Sequence, residues 1–349
     1  MLTRRAALGT VLGAALGTAS GGPIGGPAGT GPGLSRPALA QSRTKLRFAG
    51  GGIALYGYMP FFVALGQNLF PKHGIEPDVA QFPGGARAMQ ALLGGSADVV
   101  CGYYEHTIQM AAKGAKLQAF VLQARNSGLV LGVRRALADR VKTPADLKGR
   151  KVGVSAPGSA THLFVMQLLA KAGLKPTDAA AIGVGTTQTA LSSFQRGEID
   201  ALSMFDPIMS ELERGGEVVI LADARDNAGT RAVFGGPYAS GCLYADAGWI
   251  ERNQAATRGA ARAILDALAF LRQATPEQAI GALSAGMCAV GQEVCTAAFT
   301  RNRDAFLHDG AVTAEMAETV RRMLASFTPE IGSAGGDPAA TYTDRFVRG

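Results

Sequence analysis

Met89-Gln90-Ala91-Leu92-Leu93-Gly94-Gly95-Ser96-Ala97-Asp98-Val99-Val100-Cys101 carries the architecture in miniature. Met89, Leu92 and Leu93 read as the apolar face of a helix. Gly95 reads as its stop, and Asp98 opens a strand that is apolar throughout. Such a strand is expected where a parallel sheet is covered on both faces. The same grammar returns 102 positions later: Leu191, Phe194, Gly197 and Asp200 repeat Met89, Leu92, Gly95 and Asp98. A helix–strand joint written twice, with its neighbours in the same order, predicts two similar α/β halves.

The elements around each joint agree. Lys45–Ala49 reads as a first strand, followed by a glycine-rich loop with Tyr56 and Tyr58. Pro60 opens a helix that Phe61, Phe62, Leu65 and Leu69 make amphipathic and Gly74 ends. Ile75–Phe82 is a second strand and Pro83-Gly84-Gly85 a turn into the next helix. In the second half, Lys151–Val154 and Ala181–Val184 read as strands, Ala160–Ala172 and Thr187–Arg196 as helices. Leu117–Ala124, Gly128–Val133 and Tyr238–Tyr244 are β-like runs where the chain crosses between the halves and back. After Ala247 the pattern is helical, over Arg258–Arg272, Pro276–Ala285, Glu293–Phe306 and Thr313–Phe327, with a surface tail after Thr328. The expected boundaries are 41–125 with 238–349 for lobe 1 and 126–237 for lobe 2.

The first 40 residues stand apart. Met1-Leu2-Thr3-Arg4-Arg5 is basic, Ala6–Ala19 is uncharged and apolar, and Pro37-Ala38-Leu39-Ala40 offers small residues for cleavage. This is an export signal cut near Ala40. The paired arginines match a twin-arginine signal, with an ordinary secretory signal as the alternative. Its removal takes the net charge from +7 to +4, because residues 1–40 hold three arginines and no acid. The remaining charge is mild and scattered, and no nucleic-acid footprint is expected. Cys101, Cys242, Cys288 and Cys295 form no C-x-x-C and no Cys/His cluster, so no metal is expected. Export permits disulfides. Cys288 and Cys295 are placed to pair, while four buried thiols are the other reading; a Cys101–Cys242 pair also stays open.

In a doubly wound sheet, ligands sit beyond the carboxyl ends of the strands. The loops there contribute Tyr56, Tyr58, Met59, Gly84, Gly85, Tyr103, Tyr104, Glu105 and His106 from the first half. Ser159, Thr161, His162, Phe205 and Asp206 come from the second, with Asn126 on the crossing. Gly158-Ser159-Ala160-Thr161 before a helix is either an anion seat or simple N-capping. The aromatic residues suit a flat or partly apolar ligand, or pack the lobes together. Glu105 and His106 either contact the ligand or serve the local helix. No G-x-S-x-G, H-E-x-x-H, P-loop or dinucleotide fingerprint occurs. No enzyme activity and no cofactor are expected.

Tyr58-Met59-Pro60-Phe61-Phe62-Val63-Ala64, His73-Gly74-Ile75-Glu76-Pro77, Pro83-Gly84-Gly85 and Leu93-Gly94-Gly95-Ser96-Ala97-Asp98 carry a family resemblance. So do Asp146–Val154, Gly197-Glu198-Ile199-Asp200-Ala201 and Asp206-Pro207. In their order and spacing the chain resembles the periplasmic solute-binding proteins for nitrate, sulfonates and taurine, a family that includes binders of thiamine pyrimidine precursors. The resemblance implies a Venus-flytrap fold, a monomer in the periplasm, and delivery of a small molecule to a membrane permease and its ATPase. It departs at Tyr103-Tyr104-Glu105-His106, more aromatic than a simple anion cradle, which favours an anionic or heteroaromatic organic ligand. A sensor partner of a membrane receptor is the alternative function, and a pyrimidine-precursor enzyme of the same fold the remoter one.

Overall fold

The computed structural model describes residues 43–52, 55–283, 287–333 and 337–348. The expected export signal lies outside the described residues. Ten strands form two five-stranded sheets. In the first, Thr44–Gly50 (β1), Ile75–Gln81 (β2), Val99–Tyr103 (β3), Leu117–Leu122 (β4) and Gly241–Asp246 (β10) run in the order β2-β1-β3-β10-β4. In the second, Leu129–Arg134 (β5), Lys151–Val154 (β6), Ala180–Gly183 (β7), Ala201–Phe205 (β8) and Val218–Asp223 (β9) run β7-β6-β8-β5-β9. The orders superimpose strand for strand. In each sheet four strands run the same way, and the one antiparallel strand (β10 or β5), inserted between two of them, is delivered by a crossing from the other lobe.

The duplicated joint has a duplicated physical cause. Gly95 and Gly197 both take left-handed φ, +74° and +75°, where a side chain is strained. Asp98 then bonds the first strand twice: its N–H donates to the Arg47 carbonyl (2.9 Å), and its carboxylate accepts the Arg47 N–H (3.0 Å). Asp200 does the same to Lys151, at 2.8 and 2.9 Å. In the first lobe the Arg47 side chain adds a two-pronged bond to Asp98. Each aspartate thus fixes the register of the strand it opens.

Phe48, Phe61 and Phe70 sit 5.2–5.4 Å apart, centroid to centroid, beneath the first helix. Buried rings of this kind each contribute on the order of 2 kcal/mol. That helix, Met59–Gly66, is shorter than the sequence predicts. It stops where Asn68 turns left-handed (φ 54°), and a separate turn, Leu69–Lys72, completes the segment. Leu93, expected on the buried face, is 51% exposed at the end of Gly85–Leu93. The expected helix over Glu293–Phe306 is the helix Gln292–Asn302 followed by a 3₁₀ turn, Arg303–Phe306.

The tail is not a loose surface strap. Tyr342 bridges Ala119 of β4, the Thr343 N–H donates to the Ala119 carbonyl (2.8 Å), and Phe346 packs edge-on against Phe120. It covers an edge strand that would otherwise offer free backbone groups. Cys288 and Cys295 form a disulfide with Cα atoms 6.1 Å apart. Cys101 and Cys242 are free and buried. Cys101 lies opposite Leu243 while Cys242 lies opposite Gly102, so the two thiols point to opposite faces of the paired strands.

Candidate functional site

The loops at the carboxyl ends of β1, β2, β3, β6, β7 and β8 meet in the space between the sheets, and they meet in contact. The Ser159 hydroxyl accepts the Ala86 N–H at 3.0 Å, reaching from one lobe to the first turn of helix Gly85–Leu93 in the other. Gly84, next to it, is fully extended (φ −178°). A Cβ there would lie 2.7 Å from Ser159 Oγ and 3.0 Å from Ala156 Cβ. Across the same junction, Gly158 O lies 3.4 Å from His106 Nε2, and the Tyr56 N–H donates to the Asp206 carbonyl at 3.4 Å. Tyr103 stacks obliquely on Phe205 (5.2 Å) and donates its hydroxyl to the Ser127 carbonyl of the crossing (2.9 Å).

Tyr58 meets Tyr103 edge-on at 5.5 Å, and its hydroxyl lies near Gly51 and Gly85. Met59 is buried at the start of its helix, behind this surface. Tyr56 sends its hydroxyl to the Cys295 carbonyl (2.6 Å), tying the first loop to the disulfide-bearing helix. Thr161 accepts the Ser155 N–H (2.9 Å), and His162 Nδ1 accepts the Gly158 N–H (3.0 Å), so both shape the β6 loop.

Tyr104 departs from the expectation. It lies one residue past β3, where the backbone already turns helical (φ −61°) into the helix Glu105–Ala111, and its hydroxyl pairs with Thr341 of the tail at 2.5 Å. It supports the docked tail rather than the junction. Asn126 sits on the crossing, its amide 3.4 Å from the Arg225 carbonyl. Asp206 is fully committed within the protein: it accepts from Ser210 (2.9 Å from N, 2.8 Å from Oγ), pairs with Arg225, and accepts from Asn302 of the other lobe at 2.7 Å.

Two titratable groups behind the junction are held neutral. Burial pushes the Glu105 carboxyl up to about 8. Tyr238 donates to its Oε1 (2.9 Å), while Oε2 has no partner among the described residues. Burial pulls His106 down to about 4. Its Nδ1 therefore accepts the Tyr244 hydroxyl (3.2 Å), which leaves the Nε2 proton directed at Gly158. The buried cation nearby, Arg225, is enclosed by Asp206, Glu213 and Asp223. At neutral pH the junction thus offers hydroxyls, backbone N–H groups and ring faces, and its arginine is already matched.

Sequence reasoning missed the clasp at one side of this junction. Arg301 and Asn302 of helix Gln292–Asn302 reach Glu213 (2.8 Å) and Asp206 of the other lobe. It also placed no element between Asp206 and Tyr238, where Ile208–Arg214, β9 and Asn227–Phe234 lie. The apolar run Val218-Val219-Ile220-Leu221 was the available signal for β9.

The sequence profile of the NMT1-like family matches residues 42–285. A putative aliphatic sulfonates-binding protein of Escherichia coli (strain K12) is 30% identical over 236 residues, covering 66% of this chain and 69% of that protein. A solved structure from Bordetella bronchiseptica RB50 has a TM-score of 0.85 at 37% identity, over 88% of this chain and 96% of that one. The alkanesulfonate-binding protein of Xanthomonas axonopodis pv. citri, solved with MOPS bound, has a TM-score of 0.66 at 19% identity, over 82% and 93%. It shares the two-lobed α/β periplasmic binding protein fold. The chain belongs to the NMT1-like family.

Proposed function

We propose that this member of the NMT1-like family is the exported solute-binding component of an ABC importer. On this reading residues 1–40 direct export to the periplasm. Residues 41–125 with 238–349, and residues 126–237, act as two jaws that close on a small organic solute and present it to a membrane permease and its ATPase. The observation that carries the reading is the Ser159–Ala86 bond beside Gly84. A hydroxyl of one lobe seats on the helix N-terminus of the other, where a ligand oxygen would be favoured. Ligand capture between the lobes then follows from differential binding: only the closed state presents both sets of donors.

The chemistry of the junction narrows the solute. Tyr58, Tyr103 and Phe205 provide ring faces. Ser159 and the backbone N–H groups suit one anionic oxygen cluster, and Arg225 is neutralised by its carboxylates. An organic anion with a flat or apolar body fits better than a small inorganic ion. The sulfonate-binding relatives support this class, with Tyr56, Tyr58, Gly84, Gly85, Tyr103, Glu105, Ser159, Thr161, His162 and Phe205 nearest the solute. The family relatives are binding proteins by name, and binding without turnover is the activity proposed here.

A thermal-shift screen tests this. The protein, residues 41–349, is unfolded and refolded to strip carried ligand. It is then offered taurine, alkyl and aryl sulfonates, nitrate, aromatic carboxylates and pyrimidines. A ligand at about 1,000 times its dissociation constant adds on the order of 4 kcal/mol, a rise of several degrees in a chain this long. A rise with an aryl sulfonate or aromatic carboxylate is expected. A rise with nitrate alone would contradict the proposed solute class, and turnover of any bound compound would contradict the binding role.

A further inference from the structure

A cavity of about 250 Å³ opens at the crossing between the lobes, away from the junction described above. Arg125 and Asn126 of the first crossing form one wall, and Asn227, Thr230 and Arg231 of helix Asn227–Phe234 form another. Pro237 of the return crossing and Met316 of helix Ala314–Ala325 close it.

Its lining is rich in donors. Arg125 gives its Nε–H to the Asp304 carbonyl (3.1 Å). Neither Arg125 nor Arg231 is paired with a carboxylate among the described residues, in contrast to Arg225 nearby with three. Asn126 holds only a long bond to the Arg225 carbonyl. The Thr230 hydroxyl is already spent, donating to Ala224 O at 3.0 Å and accepting the Ser127 N–H at 3.3 Å. The adjacent acid, Asp226, caps the helix by accepting the Gly229 N–H. Among the described residues no acidic side chain lines the cavity. Two guanidinium groups and two amides facing one space, with no countercharge, make a site for an anion with several oxygens.

We propose that this crossing cavity binds a small oxyanion carrying two or more negative charges, and that its occupancy is coupled to closure of the lobes. The coupling follows from the walls. They come from both crossings and from elements of both sheets, so lobe rotation changes their spacing. A ligand that prefers one spacing shifts the equilibrium, and the junction's own solute feels the reciprocal effect. The site is separate from the proposed solute cleft and its anion binding stands without that reading; only the coupling rests on it.

Isothermal titration of the 41–349 protein with inorganic pyrophosphate, then with citrate, at fixed ionic strength tests the proposal. One saturable site for at least one of the two is expected. Arg231→Gln, at an exposed position, should fold normally and weaken that site at least tenfold. Arg125→Gln should weaken it similarly, and Gly84→Ala, which hinders closure, should shift the affinity without abolishing the site. Absence of saturable binding to the wild type with both probes would overturn the proposal. So would unchanged affinity in Arg231→Gln, or loss of the site in Gly84→Ala.

Discussion

Glu105 is a carboxylic acid that the fold keeps protonated. Its folded pKa of about 8 exceeds the ordinary 4.5, because burial disfavours the charged form. Below pH 4.5 both folded and unfolded chains hold the proton, and there is no penalty. From 4.5 to 8 the unfolded chain releases the proton while the folded one keeps it, so stability falls as pH rises. The loss by pH 8 is on the order of a few kcal/mol. Glu105→Gln keeps the acceptor for Tyr238 and cannot ionise, so its melting temperature should vary less than the wild type's across that window. An identical pH slope would show that Glu105 is ionised in the folded protein. Gly84 makes a different argument. Its extended backbone accommodates any residue, so Gly84→Ala should fold, yet the added methyl meets Ala156 and Ser159 only when the lobes are together. The expected result is a near-normal melt of the free protein with solute affinity reduced at least tenfold. Equal affinity would mean that the lobes close with a wider gap than seen here. At this scale the sequence was legible where a residue's backbone or terminal position dictates its role, as at Gly95, Gly197, Asp98 and Asp200. It was not legible at Tyr104, because adjacent tyrosines look alike in a sequence while Tyr103 ends the strand and Tyr104 already has helical backbone.

Among the elements, helix Gln292–Asn302 does the most joining. Its first turns carry Cys295, bridged to Cys288 and accepting the Tyr56 hydroxyl; its last residues hold Glu213 and Asp206. Closing a loop of this size by a disulfide stabilises by about 2 kcal/mol in the chain-entropy view. The double substitution Cys288→Ser with Cys295→Ser should therefore lower the melting temperature by a few degrees and weaken solute binding, since Tyr56 loses its anchored partner. An unchanged melt would place the helix under the control of its other contacts. The helix itself was expected from the helical pattern after Ala247. Its tertiary role was not, because a clasp between Asn302 and Asp206 joins residues 96 apart and neither signals the other locally. The tail was misjudged for a related reason: its Gly/Pro content reads as loop, but Thr341, Tyr342 and Phe346 dock it on β4.

For the molecule as a whole, the duplicated joint in the sequence corresponds to two sheets of identical strand order. The cross-lobe contacts differ in weight. Arg301 is half exposed, so its pair with Glu213 is worth about 1 kcal/mol or less. Asn302 is buried against Asp206, and its loss leaves a carboxylate oxygen of that buried group without its amide partner. Arg301→Ala should thus shift solute affinity less than tenfold and Asn302→Ala by more; the reverse order would assign the closed state to surface charge.

In the proposed role, solute holds the lobes in the closed arrangement described here. Small-angle X-ray scattering of the 41–349 protein, stripped of ligand and then saturated with the best compound of the thermal screen, addresses it most directly. The bound protein should scatter as this closed structure does, and the free protein should show a larger radius of gyration. Superimposable curves for the free and saturated protein would contradict it.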